Sequence, residues 1–228
     1  MMHALKAQFA AYPLDFYSQF LLLLPVFVAL YRREFLTSIL SVIVLYFGIR
    51  FIEECIFLYY TLIPKNTHSL SSGTLIVDTL LIGWCYFLGS ESSNFARRLT
   101  VAMITVAFVV STINYVLSGL ESIGHSTLRI LMIVLVLVYF NKVLAENRVR
   151  SVLLHSLFWV SSGFLVYGMG TFMTSLFKDY LLDPQKTSTE TYDLFLYMDQ
   201  ILSILLSALA AIGLWVSKFD KENYIQLV

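Results

Sequence analysis

A chain of 228 residues, 58% of them hydrophobic and 13% charged, carries more apolar surface than one soluble core can bury; soluble domains hold roughly 25% charged residues. Fifteen basic and fifteen acidic residues leave a formal net charge of zero, which excludes capture of nucleic acid by bulk positive charge. The mean hydropathy of +0.78 selects the lipid bilayer as solvent, and the expected class is an all-α, polytopic membrane protein.

Apolar runs of about 20 residues can cross hydrocarbon as helices, because each backbone polar group is then bonded within the helix. Seven such runs follow one another, at residues 13–31, 36–62, 75–88, 99–117, 127–145, 152–177 and 194–216. The third is the shortest. Ahead of the first, the stretch from Met1 to Tyr12 lacks a small-residue cleavage site behind a short apolar core, so the first helix is expected to be retained. Links such as Arg32-Arg33-Glu34 and Ser90 to Arg98 leave no room for a soluble domain. Residues 1–228 therefore read as a single seven-helix transmembrane domain. The longest link, 178–193, is rich in Asp, Lys, Thr and Glu and reads as a solvated loop.

Orientation follows from the basic residues near helix ends. Arg32, Arg33, Arg97, Arg98, Lys142, Arg148, Arg150, Lys218 and Lys221 fall on one side; Lys6, Lys65, Lys178 and Lys186 fall on the other. The richer side is expected to be cytoplasmic, with the N-terminus outside and the C-terminus in the cytoplasm. The expected location is a cell membrane of the bacterial inner-membrane type.

Ionisable groups within hydrocarbon are costly and face the bundle interior or a wet cavity. The second run carries Arg50 with Glu53 and Glu54 three and four residues on, within pairing reach on a helix. Asp78 lies about one turn inside the third run, Asn114 at similar depth in the fourth, and Arg129 at the start of the fifth. Asp199 and Gln200 lie about one and a half turns inside the seventh, and Asp15 and Gln19 at the edge of the first. Arg50, Glu53, Glu54, Asp78, Asn114, Arg129, Asp199 and Gln200 are the candidate ligand-binding residues, all in the outer half. Two arginines facing four carboxylates leave a formal charge of minus two. Carboxylate protonation, a bound cation or a basic ligand would relieve it. A structural alternative stands beside this: interfacial charges and an Arg50 ion pair that only fixes helix packing.

Catalytic, metal and cofactor signatures are not found. His3, His68, His125 and His155 are scattered, without the paired spacing that zinc sites use. No Gly-rich phosphate loop or Gly-x-Ser-x-Gly elbow occurs. The seventh run has no mid-membrane lysine for a retinal Schiff base, since Lys218 lies at its end. No enzyme activity is expected. Cys55 and Cys85 sit in apolar runs and are expected to be small buried hydrophobes. Tyr12, Phe16, Tyr17, Tyr59, Tyr60, Tyr180 and Tyr192 fall near helix ends, as interfacial belts do. Gly163, Gly168 and Gly170 with Ser161 and Ser162 allow close helix approach in the sixth run.

The stretch containing Tyr139-Phe140, His155, Phe158-Trp159, Gly163, Leu165, Tyr167-Gly168, Gly170 and Phe172 resembles the seven-transmembrane sensor regions of some bacterial histidine kinases, and small stand-alone membrane proteins like them. The resemblance implies a sensor that reads the membrane or periplasm and passes a change inward. Only residues 217–228 follow the seventh run, so the expected output is through a separate protein partner at the cytoplasmic loops. The expected function is a membrane-embedded sensor or accessory subunit whose outer pocket takes a small ligand or cation. A small transporter or channel component and a structural subunit of a larger membrane complex are the alternatives.

Overall fold

The computed structural model describes residues 8–10, 12–63, 68–90, 94–117, 121–146, 151–183 and 185–220. Among them the chain is helical, with no strand. The first run forms two pieces, α1 (Pro13–Leu21) and α2 (Leu23–Tyr31). Pro25 explains the break: it has no N–H to give to the Leu21 carbonyl, and its ring crowds that carbonyl. There follow α3 (Ser38–Leu62), α4 (His68–Gly89), α5 (Asn94–Leu117), α6 (Glu121–Glu146), α7 (Ser156–Leu176), the short α8 (Lys178–Leu181) and α9 (Thr189–Val216). Thr37 and Ser188 start α3 and α9, accepting hydrogen bonds from the N–H groups of Leu40 at 3.4 Å and Thr191 at 3.3 Å.

Six stretches are long and apolar enough to cross a membrane: Pro13–Tyr31, Leu70–Gly89, Arg97–Asn114, Ser122–Leu144, Ser156–Leu176 and Thr189–Phe219. The 25-residue α3 has the length, but Arg50, Glu53 and Glu54 keep it out of that set. Two helices begin earlier than hydropathy predicts. α4 starts at His68 rather than residue 75, and α6 at Glu121 rather than residue 127. The added turns are rich in Ser, Thr and Gly, which lower the hydropathy; of these, Thr74 bonds its own helix, its Oγ1 donating to the Ser71 carbonyl at 2.8 Å. The expected solvated loop at 178–193 is also partly helical: it contains α8 and the first turn of α9. Asp179 of α8 caps α6, accepting from the Ser122 N–H at 3.4 Å and from the Ser122 hydroxyl.

The helices close into a ring in the order α1–α2, α3, α4, α6, α7, α9, with α9 packed back on α1 and α2. α5 lies outside it, against α4 and α6, and only 22% of its apolar stretch is buried, so most of its surface faces outward. α7 and α9 approach closely. A Cβ added at Gly213 would stand 2.6 Å from the Ser156 carbonyl oxygen, and one at Gly170 would stand 2.6 Å from Leu202. The core is a continuous cluster that includes Phe47, Met132, Leu135, Phe164 and Leu214. Around the outside, Phe27, Ile52, Trp84, Val106, Leu137 and Met169 are exposed, while Ser72, Thr79, Ser111, Ser161 and Thr171 are buried. This inside-out distribution suits a lipid surround. Cys85 is buried as expected, whereas Cys55 is exposed on the apolar outer face beside Ile52 and Ile56; both thiols are free. Its helix turns that face outward because Arg50 and Glu53 occupy the inward one.

Both ends of the bundle are tied. At the end where α1 begins, Tyr12 donates to Asp193 at 3.4 Å and Gln200 to Asp15 at 3.4 Å. At the opposite end, Tyr31 stacks on Trp215 at 5.8 Å with the Arg32 guanidinium 4.2 Å from the indole centroid. There Lys142 Nζ donates to the Gly89 carbonyl at 2.6 Å, closing the C-terminus of α4. Asp220, just past α9, reaches across to the start of α7. It accepts from the Ser156 N–H at 2.9 Å and from its hydroxyl, and lies 3.1 Å from His155 Nδ1. His155 is thus remote from the predicted carboxylate cluster but paired with a carboxylate of its own.

Candidate functional site

The ring encloses a cavity of about 460 Å³ that reaches the end of the bundle where α1 begins. α3 supplies Arg50 and Glu54, α4 Ser71, Thr74 and Asp78, α6 His125 and Arg129, α7 Tyr167, α8 Lys178, and α9 Tyr192 and Asp199. Five of the eight predicted residues line it: Arg50, Glu54, Asp78, Arg129 and Asp199. Glu53 is buried and holds the Arg50 guanidinium at 3.2 Å. Asn114 and Gln200 are buried but are not among the residues lining the cavity. Gln200 ties α9 to Asp15 of α1, and Asn114 packs against Gly124 of α6, where a Cβ would stand 2.9 Å from its Nδ2.

Two arginines meet different surroundings. Arg50 is engaged by three carboxylates: Glu53 at 3.2 Å, Glu54 at 3.0 Å and, across to α4, Asp78 at 3.4 Å. Helical spacing makes the first two pairs local; the third joins α3 to α4. Arg129 has no carboxylate within 4.0 Å among the described residues. Its Nη2 donates to the Tyr167 hydroxyl at 3.0 Å, its guanidinium carbon lies 4.5 Å from the Tyr167 ring centroid, and its Nε is buried without a partner. Asp78 Oδ1 is likewise buried and unpartnered, its other oxygen being on Arg50.

Both groups lie deeper than predicted, because their helices are longer. Asp78 follows the start of α4 by ten residues rather than about one turn, and Arg129 follows the start of α6 by eight rather than opening it. That places them roughly 15 Å and 12 Å along their helices at 1.5 Å per residue. Both are buried within the bundle, 5% and 9% exposed.

The mouth carries residues the sequence reading did not assign to the site. Lys178 Nζ lies 2.7 Å from His125 Nε2 and 3.5 Å from Ser71 Oγ, and Ser71 Oγ lies 3.2 Å from the same imidazole nitrogen. An ammonium only donates, so His125 Nε2 is the acceptor here. With Lys178 included, three cations (Arg50, Arg129, Lys178) face four carboxylates (Glu53, Glu54, Asp78, Asp199), and the formal excess falls from minus two to minus one. Outside the apolar stretches, Asp183 accepts from Lys186 at 2.8 Å and from the Gln185 N–H at 3.0 Å, which hold its carboxyl below the usual range and order the turn ahead of α9.

One helical turn further in, the cavity ends. Tyr46, Ile82, Met132 and Phe164 lie three or four residues inward of Arg50, Asp78, Arg129 and Tyr167 on their helices and are at most 4% exposed; the Tyr46 and Phe164 rings meet edge to face at 5.4 Å. Among the described residues no group of three His, Cys, Asp or Glu side chains converges in the manner of a metal site. The arrangement is that of a blind, charged, partly apolar cavity. No family model, curated protein or solved structure matches the chain.

Proposed function

We propose that the protein is a membrane-embedded sensor or accessory subunit that crosses the bilayer seven times and binds a small polar ligand in this cavity from the outer side. α3 is the seventh span: its charges are matched within the bundle, so its 25 residues cross hydrocarbon without exposing a bare ion. The N-terminus is outside, and the basic-rich loop ends and the C-terminus are in the cytoplasm of a bacterial inner-membrane type cell membrane. The ligand changes the packing of α3, α4, α6, α7 and α9 around the cavity, and a partner protein at the cytoplasmic loops reads that change.

The observation that carries this reading is the blind cavity: charged walls, a mouth at one end, and, one turn beneath its lining, a buried floor layer of Tyr46, Met132 and Phe164. The floor favours binding over conduction, because a transport path needs polar lining from both sides. Purification after mild solubilisation, followed by mass spectrometry, is the test. Expected is a second protein in fixed stoichiometry, lost when Arg97 and Arg98 are both replaced by Ser. A chain recovered alone, together with solute flux in proteoliposomes, would replace this reading with the transporter one.

A further inference from the structure

Two residues that line the cavity each carry a buried polar atom without a hydrogen-bond partner, one a donor and one an acceptor. Arg129, 9% exposed, lines the cavity with a buried Nε that has no partner and with no carboxylate within ion-pair distance among the described residues. Tyr167 braces its guanidinium from one side by a hydrogen bond at 3.0 Å. On the lining from α4 and α9, Asp78 Oδ1 is buried without a partner, and Asp199 enters no hydrogen bond or ion pair among the described residues. Arg50 cannot complete these acceptors, because Glu53, Glu54 and the other Asp78 oxygen already surround it. A buried polar group without a partner is costly, so such groups on residues lining one cavity mark where a ligand can supply the missing partners. Phe57, Leu128, Phe195 and Leu196 make the rest of the wall apolar.

We infer that the cavity takes a zwitterion: an oxyanion held by Arg129 and Tyr167, an ammonium held by Asp78 and Asp199, and an apolar substituent against α3, α6 and α9. This rests on the reading of the cavity as a ligand site and names the ligand's chemistry. Two sources share it, a free amino acid and the headgroup of phosphatidylethanolamine.

The test uses the purified full chain in detergent. Thermal shift is measured with each of the twenty standard amino acids and with short-chain phosphatidylethanolamine. Titration then compares the best of these with two analogues, one lacking the ammonium and one lacking the oxyanion. Expected is binding of a zwitterion at least tenfold tighter than either analogue. Asp199→Asn removes the preference over the analogue without the ammonium, and Arg129→Gln removes the preference over the analogue without the oxyanion. Amino acids alone shifting the protein assigns the free source, and phosphatidylethanolamine alone assigns the lipid. If one analogue binds as tightly as the zwitterion, the zwitterion inference fails while the ligand cavity stands. If no probe binds wild-type protein that retains its fold by circular dichroism, the orphan groups hold water only, and both readings fall.

Discussion

Arg50 and Arg129 are the same residue type doing different work, Arg50 with a side chain 20% exposed and Arg129 buried. Arg50 ties α3 to itself through Glu53 and Glu54 and to α4 through Asp78. Removing it strands three neighbouring carboxylates, two of them buried, and breaking a buried charge cluster in this way costs about 3–5 kcal/mol. Arg50→Gln is therefore expected to lower the thermal midpoint of the detergent-solubilised protein severely. Glu54→Gln leaves Arg50 with two carboxylates and removes one partly exposed partner, with a cost of about 1 kcal/mol or less. Differential scanning fluorimetry of the two variants checks the order; equal losses would mean that the cluster does not act as a unit. The local pairs were legible from spacing alone. The link to Asp78 was not, because nothing in the sequence states which face of α4 turns toward α3.

Helix pairs here are set by small residues. Gly213 of α9 lies on the α7 backbone, so the added methyl of Gly213→Ala would meet the Ser156 carbonyl oxygen at 2.6 Å and Val160 at 2.8 Å. Overpacking of this kind costs about 1–3 kcal/mol. Gly48→Ala is the control: nothing stands within 4 Å of its added Cβ, and alanine is the better helix former. A fluorimetric melt is expected to fall for Gly213→Ala and to stay level or rise for Gly48→Ala. The glycines of α7 could be read from sequence as a close-packing signal. Gly213, alone in an apolar run, could not. Element boundaries show the reverse weakness. Ser- and Thr-rich turns at the starts of α4 and α6 lower the local hydropathy, although the Thr74 hydroxyl bonds within its helix and the Ser122 hydroxyl bonds Asp179. Reading those turns as links moved Asp78 and Arg129 toward the surface.

Across the molecule, the test of architecture is the number of crossings. Six helices qualify by composition, and α3 falls outside because of three ionisable side chains. If α3 crosses the membrane, reporter fusions placed after Phe35 and after Ile63 report opposite sides, and fusions after Phe35 and Ser90 report the same side. Fusions after Phe35 and Ile63 on one side would leave α3 lying within the bundle without crossing. Aromatic and basic residues at the two ends follow the same polarity: Arg32 on Trp215 and Lys142 on Gly89 at one end, Tyr12 on Asp193 and Lys178 with His125 at the other.

Composition and run length alone dictated an all-helical chain with apolar helices of membrane length, because bilayer thickness and backbone hydrogen bonding act on every residue regardless of its neighbours. Spacing also dictated the Arg50–Glu53–Glu54 group, since three- and four-residue separations are neighbours on any helix. Only the tertiary structure decided which charges are matched. Arg50 gathers three carboxylates and Arg129 none within ion-pair distance among the described residues, Lys178 and His125 come from separate helices to the cavity mouth, and Asn114 and Gln200 turn to helix packing. Those outcomes depend on how each helix is rotated about its axis. That rotation is set by the sum of close contacts around the ring, such as Gly213 on Ser156 and Tyr46 on Phe164, and no single run of residues encodes it.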